Sequence, residues 1–234
     1  MSEYFTFAGT DCRTYGVYAF EGDTFGAPAR ALTPLEIPGR NGSLLIDGNR
    51  YADQVHEYNC VIYQNFENNL RDFRNFLMSK VGYQELTDSM HADEKYLAYY
   101  GQDFITMMKP DRGMGHFTLS FTRKPQRYLT GISDVELTES GSITNPTLFP
   151  SQPLLRVWGT GRVGIGSNSI LITTANEYTD IDCELMEAYK GTVSCNNYIQ
   201  IQDIDFPVLK PGANGITLGT GITKVRITPR WYRL

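Results

Sequence analysis

The chain carries one stretch of helical period and is otherwise cut into short runs of strand period. No other feature constrains its fold as much. Phe66, Leu70, Phe73, Phe76 and Leu77 recur at helical spacing, while Glu67, Arg71, Asp72 and Arg74 fall on the opposite side. One apolar stripe predicts a helix over about 66–81 lying on a sheet face. Asn65 is placed to cap its start, and Gly82 to take the left-handed position after its last turn. Elsewhere 22 glycines and 11 prolines break the sequence too often for further helices, which makes the fold class mostly β.

In the first half, strands are expected at 4–7, 15–20, 31–37, 43–46, 57–63 and 83–86. Residues 95–100 and 104–108 read as two paired strands joined near Gly101. In 115–122, Phe117, Leu119 and Phe121 alternate with His116, Thr118, Ser120 and Thr122, the pattern of a half-buried strand. Pro38-Gly39-Arg40-Asn41-Gly42 packs two turn signals into one stretch, and Asp47-Gly48 is a second hairpin signal. Residues 87–94 read as a polar loop. The polar, proline-containing segment 123–127 marks a domain boundary, giving an N-terminal β domain at 1–127 and a C-terminal domain at 128–234. The short strands beyond it suggest a sandwich or barrel.

A net charge of −5 argues against a general nucleic-acid binder. Cys12, Cys60, Cys183 and Cys195 have no CxxC spacing and read as reduced thiols, with a Cys183–Cys195 bridge as the extracellular alternative. The start shows no signal-peptide pattern, and no apolar run approaches the ~20 residues of a membrane span.

Motifs that carry chemistry are out of context. Gly159-Thr160-Gly161-Arg162-Val163-Gly164 fits GxGxxG, with Asp180 near the ribose-binding offset. A phosphate site needs a helix next, but residues 165–172 are glycine-broken and then β-like, so a glycine-rich hairpin loop is expected. His56, His91 and His116 lack metal-ligand spacing and read as surface or loop histidines. There is no G-x-S-x-G elbow. Asn41-Gly42-Ser43 fits the glycosylation sequon and is read as a plain turn. No catalytic, cofactor-binding or metal-binding residue is assigned.

Two charged strips stand out. Asp180, Asp182 and Glu184 alternate, so a strand would place them on one face, solvated and beside a charged partner. Such a row could also bind calcium or sugar hydroxyls. Lys224, Arg226, Thr228 and Arg230 share one face of the last long strand, with Val225, Ile227, Pro229 and Trp231 on the other. Residues 206–234 hold five basic residues and no acid, whereas 128–205 hold three basic residues and ten acids. Asp180, Asp182, Lys224, Arg226 and Arg230 are therefore a candidate charged partner face, pairing within the domain or between subunits. Trp158 and Trp231 lie in apolar strand contexts that suggest core or interface packing. Trp158 and the acidic row also motivate an alternative reading as a carbohydrate-binding module for host surface glycans.

The ordered set Phe5-Thr6-Phe7-Ala8-Gly9, Ile37-Pro38-Gly39-Arg40-Asn41-Gly42, Leu86-Thr87-Asp88-Ser89, Lys124-Pro125-Gln126-Arg127-Tyr128, Thr144-Asn145-Pro146-Thr147, Pro153-Leu154-Leu155-Arg156-Val157-Trp158-Gly159, Phe206-Pro207-Val208-Leu209-Lys210-Pro211-Gly212-Ala213-Asn214 and Ile227-Thr228-Pro229-Arg230-Trp231 resembles the distal tail proteins of siphovirus-type bacteriophages and prophages. The resemblance implies an N-terminal ring-forming β domain with one helix and a C-terminal galectin-like β-sandwich. It further implies a structural, non-enzymatic role in the virion tail tip, or baseplate hub, assembled in the bacterial host cytoplasm. The implied partners are copies of the chain in a hexameric ring, single or stacked, the tail tube protein, the tail-associated hub or tip protein and receptor-binding proteins. Nucleic acid, membrane and cofactors are not among them. Pro38, Gly39, Arg40, Asn41 and Gly42 are the residues carried over as a ring or tube contact.

Overall fold

The computed structural model describes residues 3–22, 26–101, 105–109, 113–175, 177–202 and 205–234. The protein is mostly β and forms two compact units, Met1–Thr130 with Leu234, and Gly131–Arg233.

The first unit contains β1 (Phe5–Phe7), β2 (Thr10–Asp11), β3 (Val17–Gly22), β4 (Arg30–Glu36), β5 (Ser43–Tyr51), β6 (Gln54–Ile62), α1 (Phe66–Met78), β7 (Gln84–Asp88), β8 (Glu94–Tyr100), β9 (Ile105–Lys109), β10 (Met114–Arg123) and β11 (Arg127–Leu129). Its main sheet is antiparallel in the order β2-β1-β7-β8-β10-β6-β3, with β9 on β10 and β11 on β8. The alternation of β10 places Phe117, Leu119 and Phe121 on the buried face, beside Tyr58, Cys60 and Ile62 of β6. The apolar stripe of α1 closes this core with Phe66, Phe73 and Leu77. Side chains of this size stabilise by about 1.5–3 kcal/mol each when fully buried. The helix start lies so close to β10 that a Cβ on Gly115 would stand 2.4 Å from the Phe66 ring.

The helix ends differ from the sequence expectation. Asn65 is left-handed (φ 54) and makes no side-chain cap bond; its amide oxygen accepts from Asn68 instead. The helix stops at Met78, where the Ser79 hydroxyl donates to the Phe76 carbonyl at 2.7 Å. Gly82 is left-handed (φ 72) but lies beyond the helix end.

Other expectations fail for nameable reasons. β8 and β9 both pair with β10 rather than with each other, one at each end of it. Phe104, the expected start of that strand, lies outside the described residues. Residues 87–94 are not simply a solvated loop, since Asp88 and Glu94 are buried. Asp88 accepts from the Tyr58 hydroxyl and from the backbone N–H groups of Met90 and His91. His56 is 2% exposed rather than a surface histidine, because its place on β6 faces the core edge-on to Tyr58. The Asp47-Gly48 turn does not form. β5 runs straight through it to Tyr51, and the extra residues make a bulge between the Arg30↔Tyr51 and Leu32↔Asp47 pairs. Asp47 accepts the N–H of Asn49 at 2.9 Å, and Asn49 carries the positive φ (52). An Asp-Gly pair signals local chain reversal in general; here the reversal is already made at residues 38–42.

The second unit contains β12 (Val135–Leu137), β13 (Gly141–Asn145), β14 (Leu154–Gly159), β15 (Gly161–Ile165), β16 (Asn168–Ile172), β17 (Tyr178–Asp182), β18 (Glu187–Lys190), β19 (Val193–Ser194), β20 (Ile199–Ile201), β21 (Gly212–Leu218), β22 (Ile222–Thr228) and β23 (Tyr232–Arg233). Two antiparallel sheets form, in the orders β12-β22-β14-β17-β18-β19 and β13-β21-β15-β16-β20. Leu155, Val157, Ile181, Val225 and Ile227 of the first and Val163, Ile165, Ile170, Ile172 and Ile216 of the second are buried, the mark of a two-sheet sandwich.

The GxGxxG motif is a corner of this sandwich. The chain leaves the first sheet at Gly159 (φ 98) and enters the second at Gly161 (φ 142). The return passes through Gly221, and the two backbones touch. A Cβ on Gly159 would stand 2.1 Å from the Gly221 carbonyl oxygen, and one on Gly221 2.2 Å from that of Thr160. Strand β15 comes next, where a nucleotide site needs a helix. Asn145 locks the neighbouring loops, donating to the Phe149 and Leu209 carbonyls, and Asn214 bonds the backbone at Lys210. All four cysteines are free and buried.

Candidate functional site

Three features could serve function: the β4–β5 hairpin, the outer face of the six-stranded sheet and a depression in the second unit.

The hairpin turns at Pro38-Gly39, where the Arg40 N–H donates to the Ile37 carbonyl at 3.1 Å and Gly39 takes φ 79. A Cβ on Gly39 or Gly42 would meet nothing within 4 Å, so the tip stands in open space. Pro38, Gly39, Arg40, Asn41 and Gly42 all lie at this exposed tip. The shaft carries a stronger signal, missed by the sequence reading. Leu35 (48% exposed), Leu44, Leu45 (57%), Ile46 (50%) and Leu32 are large apolar residues open to solvent. Register divides them between both faces. Pairing sets Pro34 against Leu45 on one face, and Thr33 against Ile46 and Leu35 against Leu44 on the other. A ribbon of two strands is marginal in water, and an apolar surface on each face makes it more so. Covering each of these side chains contributes roughly 1 kcal/mol. The run Leu44-Leu45-Ile46 was the available clue. Consecutive apolar residues in a strand mean that both faces are apolar.

The outer face of the six-stranded sheet brings the two charged strips together. Arg156 donates Nε and Nη2 to Asp180 at 2.6 and 2.9 Å. Arg230 forks onto Asp182, with Nη1–Oδ1 2.8 Å and Nη2–Oδ2 2.7 Å, and reaches Glu184 at 3.4 Å. Arg226 donates to Glu136 at 2.7 Å, and the Lys224 ammonium lies 3.8 Å from the same carboxylate. Asp180 and Asp182 are only 4% and 3% exposed, so the expected solvated acidic row is a covered one. Glu184 falls in the turn after β17 and does not extend the row. There Asp182 accepts the N–H groups of Glu184 and Leu185. Burial alone would raise the Asp182 carboxyl. The Arg230 fork and these turn N–H groups outweigh it and hold the group below its ordinary 3.8. Arg230 is itself left-handed (φ 55), which aims its side chain back across the sheet.

Trp231 is buried, whereas Trp158 is half-buried on the outer face and not in the core. The Lys224 ammonium sits 4.0 Å over its ring, and Tyr178 lies 6.1 Å away. That covering cation occupies the position a stacked sugar would take.

The depression encloses 360 Å³ between the turn at 165–168 and the loop at 208–215. Among the described residues lining it, Lys210 alone is ionisable, and Asn214 is spent on backbone bonds. It offers no acid–base pair. Among the described residues no group of three His, Cys, Asp or Glu side chains could hold a metal ion, and no helix is long and apolar enough to cross a membrane.

No protein-family model matches the sequence, and no curated protein matches it. Solved structures do. The SPP1 Dit protein (gp 19.1), described as a paradigm of the hub adsorption apparatus in phages infecting Gram-positive hosts, aligns over 100% of both chains with TM-score 0.74 and 17% identity. A chain of the phage P2 baseplate in its activated conformation with calcium covers 97% of this chain and 98% of its own, at TM-score 0.54 and 11% identity. The corresponding strontium structure covers 99% and 100%, at TM-score 0.52 and 10% identity. From end to end, the chain has the fold of the phage hub protein SPP1 Dit.

Proposed function

We propose that this protein is a distal tail protein, a structural ring component of a phage tail tip. One observation carries the reading: likeness to a phage hub protein over the full length of both chains. In this reading copies assemble head-to-tail into a hexameric ring, joining the tail tube above to the hub or tip protein below. Closure by rotation requires a different surface on each side of every copy. The β4–β5 ribbon, with an apolar surface on each face, supplies contacts of that kind. The exposed tip at residues 38–42 meets a ring neighbour or the tube. The protein performs no bond chemistry. Assembly takes place in the host cytoplasm, and the mature location is the virion tail tip.

Light scattering and negative-stain imaging of purified protein test this. Rings of six copies are expected. A strict monomer at tens of micromolar that also fails to enter tail particles overturns the reading.

A further inference from the structure

We infer that a buried ion-pair network in the first unit positions the root of the β4–β5 hairpin, so that residues far from the ribbon in sequence set how it is presented. The functional weight of this rests on the ribbon being the assembly surface; the anchoring itself does not.

One carbonyl ties the two sides of the root together through side chains. Gly26, just before β4, accepts from Arg127 Nη2 at 2.7 Å and from Gln54 Nε2 at 3.2 Å. Gln54 opens β6, immediately after the hairpin, so this carbonyl ties the entering chain to the leaving one. Both donors are held from behind. Gln54 Oε1 accepts from Arg123 Nη2 at 3.3 Å, and the Arg123 guanidinium lies 4.6 Å over the Tyr96 ring. Arg127 Nη1 stands 3.7 Å from Glu94 Oε2, which also accepts the Tyr96 hydroxyl at 3.1 Å. The Glu94 and Arg127 side chains are 7% and 11% exposed, so little water competes for these bonds.

Among the described residues, little else steadies the ribbon. Its strands are exposed along nearly their whole length. The Tyr83 hydroxyl donates to Asp53 at 3.1 Å, but at the exposed surface. The Ala52 N–H closes the root ladder on Ala29 at 2.9 Å. Apolar contact has no preferred direction, whereas two N–H donors from different residues meeting on one carbonyl, Arg127 Nη2 and Gln54 Nε2, fix an angle. A long ribbon magnifies any angular play at its root into displacement at its tip. Arg127, Gln54, Glu94 and Arg123 are thus positioning residues for the ribbon.

The test uses the full chain carrying Leu45→Asp, so that assembly does not shield the root. Into it go Gln54→Leu and, separately, Arg127→Lys, which removes the guanidinium but keeps a cation beside Glu94. Hydrogen exchange at Ala52 and trypsin cleavage after Arg30 and Arg50 are expected to quicken about tenfold, the effect of losing one bond to a charged donor. Exchange in β1, β7 and β10 is expected to stay at its starting rate. Unchanged root exchange and cleavage in both variants overturns the inference. So does loss of protection in β1, β7 and β10 in step with the root, since the network would then merely hold the core. Light scattering on the same substitutions without Leu45→Asp reads assembly separately. A loosened root with undisturbed rings upholds the anchor and removes the ribbon from the ring contact.

Discussion

Two regions attract attention as contact surfaces, and they are opposites. The outer face of the second unit's six-stranded sheet carries a dense set of charges, yet they answer one another. Arg156 covers Asp180, Arg230 covers Asp182, and Arg226 and Lys224 share Glu136. The β4–β5 ribbon is charged too, with Arg30 paired to Asp47 and with Glu36, Arg40 and Arg50 besides, but it leaves its leucines open on both faces. A surface is available to a partner in proportion to what it leaves unsatisfied, not to how conspicuous its residues are. Opposite charges at neighbouring positions of one sheet are satisfied at home. Apolar side chains on a free two-stranded ribbon have nothing at home to bury them.

The sharpest way to break this comparison is in the ribbon. Leu45→Asp places a charge in the proposed contact, and ring formation is expected to disappear by light scattering while the melting temperature stays within a few degrees. Rings that persist would remove the ribbon from the assembly. Next comes Arg230→Met, which leaves Asp182 buried without its fork. A loss of about 3 kcal/mol is expected in urea unfolding of the second unit, with ring size unchanged. A loss of ring formation with full stability would show that this face meets a partner after all.

The pH dependence is a further arm. The Asp182 carboxyl is depressed in the folded state, so its contribution is complete above its ordinary 3.8 and falls away as the pH drops through the lower folded value. Burial pushes the neighbouring Cys183 thiol from 9.0 up to about 12, so stability from this site is complete below 9.0 and is lost as the pH climbs towards 12. Unfolding midpoints across both windows, compared between native protein and Cys183→Ala, check the alkaline limb. The smallest effect is expected at the rim. Arg226→Ala breaks a pair whose side chains are 39% and 45% exposed, and an unchanged urea midpoint is expected. A lowered midpoint would mean that the rim, too, is part of a closed network.

Much of the fold is legible in the residues. The single helix, the alternation of Phe117, Leu119 and Phe121, and the many short strands of the second half come from periodicity and glycine punctuation. The failures have a common cause. Asp47-Gly48 predicts a local reversal, but pairing with β4 holds β5 extended and turns the extra residues into a bulge. Residues 95–100 and 104–108 look like neighbours, yet β10 competes for both and wins. His56, Asp88 and Glu94 are polar and expected outside, but β6, β7 and β8 carry them inward, His56 against the Tyr58 ring and the two acids to tyrosine hydroxyls. Of the candidate contacts, the sequence places the hairpin tip at 38–42 and misses the shaft.

What the amino-acid order determined alone was local: the reversal at residues 38–42, the apolar faces of α1 and β10, and that the GxGxxG glycines precede a strand. Those properties depend on backbone sterics and on the spacing of neighbouring residues. What tertiary structure decided was partnership. It bound Asp182 to Arg230 and Gly26 to Arg127, set two glycine corners against each other, and left the leucines of the ribbon without cover. Such pairings join residues tens of positions apart. Their strength depends on burial and distance, which no local pattern encodes.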